Sequence, residues 1–241
     1  MRRPAQSLRR YCGYIVLLGG LLVPLCSPAA EPRPQTYVQL ALANVFLDRT
    51  LKVRPKDAPD AERIGYSRAL GGYLRGSWQS RAGAFAYGEY LGVDGCVGNC
   101  LSSRSAEGTH AGLERYAFGL GWHWQDLRGI DLYVTAAREQ RTVELCRDKG
   151  TAEQEGCREE VRQWTSLGVG AQYPLTERWR LGVRYEHFLG VEPVDDRLLR
   201  LGDGRATLTA SKRLLESGTY GVLAYEEARN RHLRLGLRFR F

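Results

Sequence analysis

The last ten residues of the chain read HLRLGLRFRF, His232 to Phe241. Leu233, Leu235, Leu237, Phe239 and Phe241 alternate with Arg234, Gly236, Arg238 and Arg240. A period of two means an extended strand, because successive side chains of a β-strand leave on opposite faces. One face here is apolar, and the other is charged over its whole length. A cytosolic sheet would turn the arginines to water, yet the chain stops on an aromatic residue after several earlier stretches with the same alternation.

Those earlier stretches run as follows. Val38, Leu40, Leu42 and Phe46 alternate with Tyr37, Gln39, Ala41, Ala43 and Val45 in a first strand. A second spans about 64–78, with Leu70, Gly72, Leu74 and Trp78 opposite Gly71, Tyr73 and Arg75. The third, 84–93, is the least regular: putting Phe85, Tyr87 and Leu91 on the apolar face puts Glu89 there too, so a bulge or a shifted register is expected. The fourth sets Tyr116, Phe118, Leu120, Trp122 and Trp124 over Arg115, Ala117, Gly119, Gly121 and His123. The fifth sets Ile130, Leu132, Val134 and Ala136 against Asp131, Tyr133, Thr135 and Glu139. The sixth carries Leu167, Val169, Ala171 and Tyr173, and the seventh Trp179, Leu181, Val183 and Tyr185.

Short turns near 79–83, 125–129 and 174–178 alternate with polar loops at about 48–63, 94–111, 143–160 and 190–229. This predicts eight antiparallel strands in an up-and-down order. Ten is the alternative, because 205–213 and 219–225 also alternate weakly; with only Ala206, Leu208 and Ala210 on its apolar side, the first of these is read as part of a loop hairpin. Aromatics fall at both ends of the apolar rows: Trp78, Trp122, Trp124, Tyr173, Trp179, Phe239 and Phe241 near the short turns, and Phe46, Tyr66, Tyr116 and Tyr185 near the long loops. Two such girdles are the mark of a sheet whose outer face meets lipid at two interfaces.

The alternating rows, the girdles and the terminal Phe241 resemble the small bacterial outer-membrane β-barrel families of the OmpA, OmpX and opacity-protein kind. The resemblance covers the whole mature chain as a pattern and rests on no catalytic motif. It implies an all-β transmembrane barrel in the outer membrane of a Gram-negative bacterium. It also implies that Phe239 and Phe241 serve as the assembly signal read by the barrel-assembly machinery, and that lipopolysaccharide surrounds the outer rim.

The remaining features fit an exported chain. It has 241 residues, 43% of them hydrophobic, and a mean hydropathy of −0.38. Membrane barrels hide behind such averages, because only every second strand residue meets lipid. Arg2, Arg3, Arg9 and Arg10 precede an apolar run from Tyr14 to Leu25 and a small-residue exit at Ser27-Pro28-Ala29-Ala30. This is the layout of a cleaved signal peptide over 1–30, leaving 31–241 as the barrel. Cleavage halves the formal charge of +8. It also removes Cys12 and Cys26; Leu25 stands where a lipoprotein signal wants a smaller residue. Cys96, Cys100, Cys146 and Cys157 remain, and in an oxidising compartment local pairing, Cys96 with Cys100 and Cys146 with Cys157, is expected over zinc ligation.

The inward rows hold the candidate site: Arg75, Arg115, Arg180, Arg184, Arg234, Arg238 and Arg240 against Asp131, Glu139 and Glu186. Eight strands enclose little beyond side chains, so these charges pair or touch trapped water. A salt-bridged plug is one reading, and a narrow basic lumen that passes small anions is the other. Some small outer-membrane barrels modify lipid A, but Leu189 stands two places after His187, where the deacylase pattern needs serine. His110, His123 and His232 are polar fillers by position. No phosphate loop, paired metal-ligand motif or nucleophile elbow occurs, so neither an enzyme nor a cofactor is expected. Arginines spread at period two do not make a nucleic-acid face. The expected work is done by the long loops, as surface interaction, adhesion or envelope support, with an unidentified host or cell-surface ligand.

Overall fold

The computed structural model describes residues 35–53, 64–96, 109–127, 129–147, 156–189, 204–228 and 230–241. The expected signal peptide lies outside them. Ten strands form: β1 Tyr37–Val53, β2 Ile64–Gln79, β3 Ala84–Cys96, β4 Thr109–Leu127, β5 Ile130–Arg147, β6 Gly156–Pro174, β7 Trp179–Leu189, β8 Gly204–Arg213, β9 Thr219–Glu227 and β10 Arg231–Arg240. Each pairs antiparallel with its neighbours in sequence, and β1 pairs with β10 from Tyr37↔Arg240 to Phe46↔Arg231, closing a barrel. Closure satisfies every backbone ladder, which hydrocarbon demands of any sheet that crosses it.

The count of eight strands is therefore corrected to the alternative of ten. Residues 205–213 and 219–225, expected inside a loop, are β8 and β9. Two features conceal them. The outward side of β8 is small, with Leu208 its one large apolar residue. The link from β9 to β10 takes only 228–230, so the loop end also has a tight connection, against the expected strict alternation. The other loops are narrower than expected as well, since β1 runs on to Val53, β3 to Cys96, β5 to Arg147, and β6 begins at Gly156.

Outward rows follow the alternation. Leu42, Trp78, Phe118, Leu120, Val169 and Leu235 are among the exposed large apolar side chains. The inward rows are packed against one another, so the core of the molecule is its lumen. Strands β1 to β5 fill their side towards the long loops with Ala43, Val45, Ala69, Tyr73, Leu91, Val93, Leu113 and Val143.

Strand β3 departs from the reading in its facing. Its register with β2 and β4 is continuous, with no bulge, and Phe85, Tyr87, Glu89 and Leu91 all point inward. The carboxylate decides this: in lipid it costs several kcal/mol, while inside it meets arginines. The aromatic residues then need room, and inward glycines of β4 provide it; a Cβ on Gly121 would sit 2.3 Å from the Phe85 ring and one on Gly119 2.5 Å from that of Tyr87. Outward, Tyr90 stacks on Tyr116 with centroids 4.9 Å apart. The β2–β3 turn depends on Gly83, whose φ of +103° L side chains rarely adopt and where a Cβ would lie 2.6 Å from the His123 carbonyl oxygen.

Candidate functional site in the charged lumen

Four buried carboxylates organise the middle of the lumen. Glu89 on β3 accepts hydrogen bonds from Arg75 at 3.1 Å, Arg115 at 3.3 Å and the Tyr73 hydroxyl at 3.2 Å, with Arg205 3.8 Å and Arg184 3.9 Å away. Glu226 on β9 takes Arg115 at 2.7 Å and Arg234 at 3.2 Å, beside the buried His232. Glu139 on β5 receives both terminal nitrogens of Arg205, at 2.9 and 2.8 Å, a bidentate fork that only a planar guanidinium makes. Glu186 on β7 takes Arg205 through Nε and also pairs with Arg184. Arg205 thus bridges three strands, and Arg115 joins the two carboxylates on opposite sides of the barrel.

Aromatic faces hold the arginines in place. Arg234 lies 4.3 Å from the Tyr73 ring centroid and Arg75 4.4 Å from that of Tyr87, whose hydroxyl accepts from Arg184 at 3.0 Å. Arg141 lies over Trp164, which packs on Phe188. Rings on a cation face supply negative potential without demanding ionic geometry. With Arg115, Glu139, Glu186, Arg205, Val45 and Leu91 all at 2% exposure or less, this layer and the apolar cluster of β1 to β5 fill the lumen at their level with side chains.

Of the expected lumen charges, Arg75, Arg115, Glu139, Arg184, Glu186 and Arg234 meet in that network. Asp131 and Arg180 form a looser pair, 3.8 Å apart and partly exposed, at the short-turn end. Arg238 donates to Gln39 Oε1 from Nε and Nη2 at 3.0 and 2.8 Å and lies over Tyr37, while Arg240 lies over Tyr220. Sequence reasoning missed Glu89, Arg205 and Glu226, the ions with most partners, together with Arg141. The available signal was the inward row of β8, Arg205-x-Thr207-x-Thr209-x-Ser211, which is polar at every second position.

His187 is exposed on the outer wall, and among the described residues no group of His, Cys, Asp or Glu is arranged to hold a metal ion. Cys146 and Cys157 stand directly opposite each other in the β5–β6 ladder. Cys96 ends β3, and Cys100 lies outside the described residues. Phe241 is exposed beside the lipid band, while Phe239 is half-buried. Of the arginines near the outer rim, Arg68 is exposed and lies 5.3 Å from the Phe46 ring centroid, and Arg231 pairs with Glu227 at 3.2 Å. Arg138 joins them: it is exposed just beyond the apolar row of β5 and donates to Gln163 at 3.2 Å.

A closed antiparallel sheet of even strand number, an apolar outer band edged by aromatic residues, tight turns at one end and longer loops at the other, and a charged lumen are the features of outer-membrane β-barrels. The outer membrane is where such a chain resides. No protein-family model matches the sequence, and comparison with curated proteins finds no match. Solved structures of similar shape include Ail, the attachment invasion locus protein of Yersinia pestis. It is 10% identical, with 84% of this chain and 97% of that one covered and a TM-score of 0.38. OprG from Pseudomonas aeruginosa gives 8% identity, 86% and 97% coverage, and a TM-score of 0.39. The translocator domain of the autotransporter NalP from Neisseria meningitidis gives 11%, 88% and 90%, and 0.44.

Proposed function

We propose that this outer-membrane barrel is a sealed scaffold that works at the cell surface, presenting its long-loop end to other cells or host molecules and not conducting solutes. The observation that carries the reading is the fully buried ion layer and apolar cluster across the lumen. A second feature supports it. A transmembrane strand needs about 9–11 residues, and β7 to β10 have 9 to 11, whereas β4, β5 and β6 have 19, 18 and 19. The surplus lies at the long-loop end, so these three strands stand beyond the lipid as a raised wall. With the short turns periplasmic, that wall faces outward.

Reconstituted in planar bilayers, the folded barrel is expected to give no steady conductance steps. Regular steps would overturn the sealed reading. Maleimide labelling of intact cells should reach a cysteine placed at Lys149 and spare one placed at Arg81; the reverse pattern would overturn the orientation.

The same reading assigns lipopolysaccharide to the outer rim, where exposed guanidiniums make charge-assisted bonds with lipid A phosphates. Replacing Arg68, Arg138 and Arg231 together by Gln should lower co-purified lipopolysaccharide several-fold without changing the folded yield. It also assigns Phe239 and Phe241 to recognition by the assembly machinery. Deleting Phe241 should lower the heat-modifiable folded form in cells while leaving refolding in detergent unaffected.

A further inference from the structure

From the short-turn end the lumen opens into a chamber of about 60 Å³ whose inner end is lined by the ion layer itself, Glu89, Glu186, Arg205, Glu226 and Arg234. It lies against the strands that the ten-strand barrel adds to an eight-strand one. Thr207, Thr209 and Ser211 of β8 face it, opposite Arg184, Gly182 and Arg180 of β7, and Tyr37 and Arg238 close the other side. A buried water needs roughly 10–15 Å³, so the space of about 60 Å³ suits about four to six water-sized bodies, enough for the oxygens of one tetrahedral oxyanion.

The charges around it do not balance. Among the described residues six arginines line it, 75, 180, 184, 205, 234 and 238, against three carboxylates, 89, 186 and 226. The carboxylates stand at its inner end, each already engaged by arginines of the ion layer. The short-turn side holds Arg180 and Arg238 on the chamber wall, each within Coulombic reach of Arg240, with Asp131 3.8 Å from Arg180. Among the described residues Arg238 meets an amide oxygen and a ring, and the Nε of Arg184, on the chamber wall, has no hydrogen-bond partner. Gathering like charges in a poorly hydrated space is costly unless a counter-charge joins them. A fork of guanidiniums facing a row of hydroxyls matches the geometry of phosphate-type oxyanions.

We propose that this chamber binds a small free oxyanion of the phosphate class, entering from the short-turn end and held by Arg180 and Arg238 with the hydroxyls of Thr209 and Ser211. The site stands on the lumen and not on the loops, so it holds or fails independently of the surface role.

The test uses the whole mature barrel, refolded in an alkyl-glycoside detergent and chloride buffer, with inorganic phosphate as the probe and ³¹P line broadening as the readout. Saturable broadening, competed by sulfate, is expected. Arg180→Gln with Arg238→Gln should weaken binding at least tenfold. Gly182→Phe should do the same with no change of charge, because a Cβ there meets its nearest atoms at 3.7 Å and the ring would fill the chamber; where that variant fails to reach the heat-modifiable form, Thr209→Leu fills it from the paired position on the neighbouring strand. Arg81→Gln on the exposed β2–β3 turn should change nothing. Glycerol 3-phosphate, too large for the space, should bind at least tenfold more weakly than phosphate. Absence of saturable binding, a folded filling variant that binds like the parent, loss on Arg81→Gln, or preference for glycerol 3-phosphate would each overturn the proposal, the last by pointing to a headgroup in place of a free anion.

Discussion

The β4–β5 and β8–β9 hairpins occupy equivalent places in the barrel wall, yet they spend their residues differently. Strand β4 shows lipid Tyr116, Phe118, Leu120, Trp122 and Trp124, all exposed outward. Strand β8 shows it Ala206, Leu208, Ala210 and Lys212, while its inward row supplies Arg205 and three hydroxyls. One hairpin announces itself to the membrane; the other supplies the most connected ion in the lumen. Outward residues are interchangeable apolar bulk, because lipid adapts to any shape. Inward residues have fixed partners, and a strand with few outward signals still belongs to the wall when its inward row is needed.

The largest expected effect that tests this contrast is at Arg205. Its replacement by Ala leaves Glu139 without its bidentate partner and Glu186 without one of its two arginines, and removing one member of a buried ion pair costs about 3–5 kcal/mol. Urea unfolding in lipid vesicles should show that loss, whereas Phe118→Ala on β4, where lipid fills the gap, should cost about half as much or less. Equal losses would erase the distinction between the two faces.

Next is Leu208→Arg on β8. If β8 crosses the membrane as described, a lipid-facing arginine should cost about 2–4 kcal/mol near the midplane, the same as Leu120→Arg on β4. A neutral Leu208→Arg would put the hairpin back among the loops.

The smallest effect concerns the raised wall of β5 and β6. Cys146 and Cys157 face each other in register, and a disulfide is expected there. Because the closed loop is short, its removal should cost at most about 3 kcal/mol by the chain-entropy relation, confined to the wall beyond the lipid. Non-reducing peptide mapping should find the 146–157 link; two free thiols, or a link to Cys96, would break the assignment.

These contrasts explain what was legible. The outward rows of β1, β2, β4, β5, β6, β7 and β10 and the three tight turns near Gly83, Gly129 and Pro174 could be read directly, since each needs only neighbours in sequence. Strand β3 was misread because its apolar residues outvoted one carboxylate, when a single Glu in hydrocarbon outweighs several apolar gains. The β8–β9 pair was undervalued because its evidence is polar and faces inward.

By itself the amino-acid sequence determined a two-faced strand meander with aromatic girdles and an inward excess of arginine, because period, turn chemistry and the lipid boundary act over a few residues or along one strand. Strand number, the facing of β3 and the pairing of ions were decided only by closure. Arg115 finds Glu226 across 111 residues, and Arg238 finds Gln39 across 199. No local pattern encodes which carboxylate a guanidinium will meet across a barrel; that depends on how many strands stand between them.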